Sequence, residues 1–246
     1  MTVDGPDQLE KLKEIGAICR DVLNAMGAAV RPGVTPKELD AIGGKMLAER
    51  GAKSAPMLAY DFPGHTCISV ADAVAHGIPG DEPLVEGELV NIDVSAEKDG
   101  FFADTGASFP VGAISSDLVK LLDATKSAQR KAMFAARAGQ PLNAIAKVVE
   151  REAGKHGFRL VEGLNGHGVG QWIHEEPSVP NIYHPHERQK LKEGQVLTIE
   201  PFLATRSNQY VEDADGWTLR LADGGAGAQF EHTFVVTKGA PIVLTA

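Results

Sequence analysis

The sequence predicts an α+β fold in which two similar halves each set helices against an antiparallel sheet. Three observations predict it. The segment LVEGELVNID, Leu84 to Asp93, returns as LKEGQVLTIE, Leu191 to Glu200; each is a glycine-containing turn, an apolar strand and a final acid, and the two acids lie 107 residues apart. VRPG at Val30 to Gly33 and ARAG at Ala136 to Gly139 each lead into a helix, with their arginines 106 residues apart. In both halves the helical patterns come first and runs of Val, Ile and Phe follow, an order that suits helices packed on hairpins rather than alternating βαβ units. The repeats span about residues 8–114 and 115–246 and meet near Ser115-Ser116 with no low-complexity linker, so residues 1–246 are expected to share one core as a single domain.

Each element has its own justification. Leu9, Leu12, Ile15, Ile18, Val22 and Met26 recur at helical spacing. Thr35 can cap a second helix, Pro36 suits its first position, Glu38 completes a capping box and Gly51 ends it. Leu118 to Arg137 and Pro141 to Glu152 repeat the two-helix theme. Between Leu89 and Ser108, Val90, Ile92 and Val94 alternate with Asn91, Asp93 and Ser95, a strand period, and Asp99-Gly100 is a two-residue hairpin signal. The long stretch around Asn208 to Gly227 reads as a polar loop that carries Trp217.

Composition narrows the function. The formal net charge of −9 disfavours phosphate backbones, so no nucleic acid is expected as the primary ligand. No apolar run is long enough to span a bilayer and no export signal is visible, so no membrane association is expected. Cys19 and Cys67 form no disulfide framework, and a cytoplasmic location is expected.

The carboxylates carry the chemistry. With Asp99-Gly100 as the turn, Ser95 pairs with Asp104, and Asp93 and Asp104 fall on one face as diagonal neighbours, about 7–8 Å apart at Cα. Asp104 stands among Phe101, Phe102, Ala103 and Phe109, where two uncompensated negative charges repel and a cation resolves the conflict. Exposed acids on a solvated sheet face are the plain alternative for this hairpin taken alone. Glu200 is the repeat partner of Asp93, and Glu231, in Gln229-Phe230-Glu231-His232-Thr233, is the candidate partner of Asp104. His167 sits between glycines in Gly166-His167-Gly168-Val169-Gly170, a setting that lets backbone approach a ligand closely. Four carboxylates and one imidazole form a hard donor set suited to Mn, Fe, Co or Zn with room for a water. His76, in AHGIPG, and His174, in IHEEP, stand in glycine- and proline-rich turns, whereas His65, His156, His184 and His186 read as surface residues.

The segments AHGIPG, NIDVSAEKDGFFADT, GHGVGQWIHEEP, TIEP and QFEHT, in this order, resemble the type I (bacterial-type) methionine aminopeptidases of peptidase family M24, which have the creatinase-like pita-bread fold. The resemblance covers nearly the whole chain. It implies a single catalytic domain and two divalent ions held by Asp93, Asp104, His167, Glu200 and Glu231, with Asp104 and Glu231 bridging. It implies that His76 and His174 contact substrate, that the enzyme acts as a monomer, and that it removes the initiator methionine of nascent polypeptides when the second residue is small. The expected catalytic groups are His76, His174 and Glu200. Phe62, Cys67 and Trp217, with Ile173, are expected to hold the methionine side chain. Ala59 stands where the family often has an aromatic residue, with Tyr60 next to it. The alternatives are a prolidase or Xaa-Pro aminopeptidase, whose usual long N-terminal domain is lacking here, and a non-catalytic binding protein on the same fold.

Overall fold

The structure, a computed structural model, describes residues 1–246. Five helices, α1 (Pro6–Ala29), α2 (Pro36–Glu49), α3 (Ala55–Tyr60), α4 (Ser116–Ala135) and α5 (Asn143–His156), surround short antiparallel sheets. None is long and apolar enough to cross a membrane.

The local signals act as the sequence predicts. Thr35 and Glu38 form the capping box of α2, Pro36 opens it, and Gly51 follows its end at φ 68°. Asp99 and Gly100 both take positive φ, 52° and 81°, the twist that a tight hairpin needs, and pair Lys98 with Phe101. Strands Leu89–Lys98 and Phe101–Pro110 then run side by side over their full length.

Burial follows the alternation. Val90, Ile92, Val94 and Ala96 face α1 and α2 in one core with Ile15, Val22, Met26 and Leu39. At about 25 cal/mol per Å² of apolar surface removed from water, such burial is the main force that holds helices to hairpin. In the second half, Ala132, Met133, Ile145 and Val149 from α4 and α5 pack with Leu197, Ile199 and Phe234 from the sheet.

The segments that read alike are also wired alike. Gly33 N–H donates to Leu84 O and Gly139 N–H donates to Leu191 O, each at 2.8 Å, and both glycines have φ 86°. Leu84 N–H returns to Val34 O at 2.8 Å, as Leu191 N–H returns to Gln140 O at 2.9 Å. The two sheets meet along a short seam. Phe101–Pro110 lies beside residues 230–233 through the Ala107–Phe230 bridge, the Glu231 N–H to Gly106 O bond of 2.8 Å and the Thr233 bonds to Asp104. That seam brings the acids of one half to those of the other.

One expectation needs correction. The stretch around Asn208 to Gly227 is not a loop: Tyr210–Glu212 and Leu219–Leu221 form an antiparallel hairpin, and Leu219–Leu221 pairs in turn with Ala73–Ala75. Three-residue strands with polar members are too short to show a period, so only the partner strand in the other half defines them.

Candidate active site

Register places the acids. Asp93 stands opposite Gly106 and Asp104 opposite Ser95, so both carboxylates emerge on the face away from the α1/α2 core. Across the seam, Thr233 Oγ1 accepts from Asp104 N at 2.9 Å and donates to Asp104 O at 2.7 Å, while Thr105 Oγ1 donates to Glu231 O at 2.8 Å. Glu231 occupies the break between strands Gly227–Gln229 and His232–Val235. His232 pairs with Ile199, and one further step in that register sets Glu231 against Glu200.

His167 completes the cluster. Its flanking glycines are required by packing: a Cβ at Gly166 would lie 2.6 Å from Thr198 O, and one at Gly168 2.4 Å from Glu176 O. Asp104, His167 and Glu231 offer ligand atoms that all lie within 4.8 Å of one another. His167 Nε2 is 3.4 Å from Glu200 Oε1 and 3.7 Å from Asp104 Oδ2.

The electrostatics of this cluster call for a cation. Burial pushes the His167 pKa down to about 3, with the neighbouring His174 adding to the shift, so the ring is neutral at pH 7. Its Nδ1–H donates to Gly168 O at 2.9 Å, which leaves the Nε2 lone pair turned toward carboxylate oxygens. Asp104 Oδ1 and Glu231 Oε1 are buried without any hydrogen-bond partner. Burial raises Asp93 to about 6. Burial first, and then the charges of the other acids, raise Asp104, Glu200 and Glu231 well above the carboxylate range. A set of acceptors without donors is costly unless protons or a metal supply positive charge. Oxygen and imidazole donors in this number fit a divalent transition ion.

A second ring of residues holds the first. Thr198 Oγ1 donates to Glu200 Oε1 at 3.1 Å and accepts from His167 N at 3.1 Å. Gln229 Nε2 donates to Glu231 Oε2 at 3.1 Å, and Asn91 Nδ2 donates to Gln229 Oε1 at 2.9 Å. Sequence reasoning missed these residues, yet a signal existed. Asn91, Thr198 and Gln229 each precede an acid of the cluster (Asp93, Glu200, Glu231) by two positions, so they share its side of the chain.

Beside the acids lies an apolar cavity of about 260 Å³, walled by Pro56, Tyr60, Phe62, Cys67, Ile173 and Trp217. Phe62 meets the Trp217 ring edge-on, with centroids 5.1 Å apart. Cys67 is the cross-strand partner of Asp93. His76 and His174 line both this cavity and an adjoining one of about 180 Å³ that contains His167 and Glu200, so they stand between the apolar wall and the acids. Burial lowers the pKa of each below the ordinary histidine value, and the charge that a protonated His76 would carry lowers His174 further, which favours the neutral rings. His76 holds a left-handed φ of 53°, a conformation that non-glycine residues adopt mostly where the surroundings impose it. His65, His156, His184 and His186 are exposed and take no part. A larger groove of about 820 Å³ runs along α4 and α5 and contains none of these groups.

An acceptor-rich cluster, fit for divalent ions and opening on an apolar recess, defines the class as a metal-dependent hydrolase. Comparison with known proteins agrees. The profile of metallopeptidase family M24 matches residues 10–238, and the chain belongs to that family. Methionine aminopeptidase 2 of Bacillus subtilis is 44% identical over 247 aligned residues, which cover 100% of this chain and 99% of that protein. The crystal structure of methionine aminopeptidase from Rickettsia prowazekii superposes with a TM-score of 0.95 at 32% identity, covering 100% of both chains. The prolidase of Pyrococcus furiosus shares the fold, with a TM-score of 0.80 at 22% identity over 100% of this chain and 65% of that one.

Proposed function

We propose that this chain is a metal-dependent aminopeptidase that removes the N-terminal methionine of new polypeptides whose second residue is small. The observation that carries this reading is the contact between the buried acceptor cluster around Asp104, His167 and Glu231 and an apolar recess of about 260 Å³, which Asp104 also lines. The similarity to methionine aminopeptidases over the full chain supports it, while the prolidase likeness bears on the fold alone.

Asp93, Asp104, His167, Glu200 and Glu231 would hold the divalent ions. When bound, the ions supply Lewis acidity and bring the pKa of a water toward neutrality. Glu200, held by Thr198, takes a proton from the attacking water and returns it to the leaving amine. His174 donates a hydrogen bond to the oxyanion that develops on the scissile carbonyl. His76 holds the scissile amide nitrogen. Phe62, Cys67, Ile173 and Trp217 enclose the thioether side chain. The repeats, about residues 8–114 and 115–246, then act as one catalytic domain, because the cluster draws two acids from each.

The test is methionine release from a Met-Ala-Ser peptide by chelator-stripped protein reconstituted separately with Mn, Fe, Co and Zn, beside an Ala-Pro-Ala peptide. Metal-dependent release of methionine alone is expected. Cleavage only before proline would move the chain to its prolidase-like relatives.

A further inference from the structure

Tyr60 lines the recess next to a catalytic candidate, and the mechanism above leaves it unused. It is the last residue of α3, which Ser54 caps by accepting from Met57 N at 3.4 Å and which Asp61 ends in a left-handed turn at φ 55°. Ala59, one residue earlier, packs against the core that contains Ala55 and Ile173. The helix therefore turns Tyr60, and not position 59, toward the site.

The Tyr60 hydroxyl lies 2.6 Å from Nδ1 of His174, and the two rings are 5.5 Å apart at 42°. No other protein group bonds to that hydroxyl or to Nε2 of His174. A neutral imidazole has one N–H, and the partner of one nitrogen decides which nitrogen carries it. Two polarities are available. If Nδ1–H donates to the phenol, Nε2 presents a bare lone pair to a cavity already rich in carboxylate oxygens. If the phenol donates to Nδ1, Nε2 carries the proton and offers a donor to that cavity. The second arrangement replaces repulsion by attraction, and a phenolic O–H is a strong donor to an sp² nitrogen at this distance.

We propose that Tyr60 is a positioning residue whose hydroxyl donates to Nδ1 of His174 and fixes the Nε2–H tautomer that serves the scissile carbonyl. The proposal rests on the reading of His174 as an oxyanion donor. It gives a purpose to the aromatic residue at position 60, where Ala59 leaves the preceding position without one.

Two readouts test it. In metal-free protein labelled with 15N-histidine, long-range 15N–1H correlation reports the tautomer of each ring, and His174→Asn identifies the signals of His174. Wild type should show a pyridine-like Nδ1 and a pyrrole-like Nε2, and Tyr60→Phe, which keeps the ring, should move both toward the averages of a tautomer mixture. In the Mn-loaded enzyme, Tyr60→Phe should lower kcat on Met-Ala-Ser about five- to tenfold, the value of one hydrogen bond, with KM nearly unchanged. In a His174→Ala background the same substitution should cost nothing further, because Tyr60 acts through His174. Unchanged 15N shifts in Tyr60→Phe, or fully additive losses, would overturn the proposal. If His174→Ala itself leaves kcat intact, the oxyanion reading fails, while the tautomer measurement still judges the Tyr60 bond.

Discussion

The two halves bring equivalent acids to the same place by different routes. In the first, Asp104 follows Asp93 by eleven positions, and the chain simply turns at Asp99-Gly100. In the second, Glu231 follows Glu200 by 31 positions, and the chain makes an excursion that pairs Leu219–Leu221 with Ala73–Ala75 of the other half. What the halves share is therefore strand register and the seam between sheets, not loop length. The difference shapes the recess, since the longer route delivers Trp217 against Phe62 and closes its apolar wall.

If the halves contribute equally, an acid lost from either should do equal harm. Asp104→Ala and Glu231→Ala are each expected to lower kcat/KM on the order of 10³-fold and to deplete bound metal, measured by steady-state kinetics and elemental analysis. A large loss for one and a small loss for the other would break the comparison. The excursion makes a separable prediction. Trp217→Ala should raise KM for Met-Ala-Ser about tenfold while metal content stays that of wild type, because it removes recess wall and no ligand. Thr198→Ala, which unties both Glu200 and the His167 backbone, should weaken metal affinity by roughly tenfold in a calorimetric titration.

Protons compete with metal at the same oxygens. Burial raises the Asp93 pKa to about 6, so its carboxylate is protonated below that value and free above it. Metal affinity should therefore fall as pH drops through about 6, by about tenfold per pH unit for each proton displaced. An affinity that is flat from pH 5 to 7 would remove Asp93 from the ligand set.

Much of this was legible in the sequence because it depends on period and repetition. The hairpin register around Asp99-Gly100, the capping box at Thr35, and the recurrence of LVEGELVNID as LKEGQVLTIE each follow from a few adjacent residues. What escaped depends on contacts between distant segments. The hairpin Tyr210–Leu221 exists because Ala73–Ala75 pairs with it, and no local pattern in YVE or LRL reveals that partner. Tyr60 read as a displaced aromatic, and its bond to His174, 114 residues away, emerges only when α3 and the Gly170–Glu175 turn are brought together. The seam at Ala107–Phe230 explains why Glu231 faces Asp104, whereas the sequence indicated only that it should.

The central claim is that each half supplies two acids to one shared two-ion centre. Anomalous diffraction from crystals grown with Mn tests it most directly. The account predicts two peaks between the sheets, with Asp104 and Glu231 each touching both ions and His167 touching one. A single ion held by the acids of one half, or ions bound elsewhere with the cluster left protonated, would contradict it.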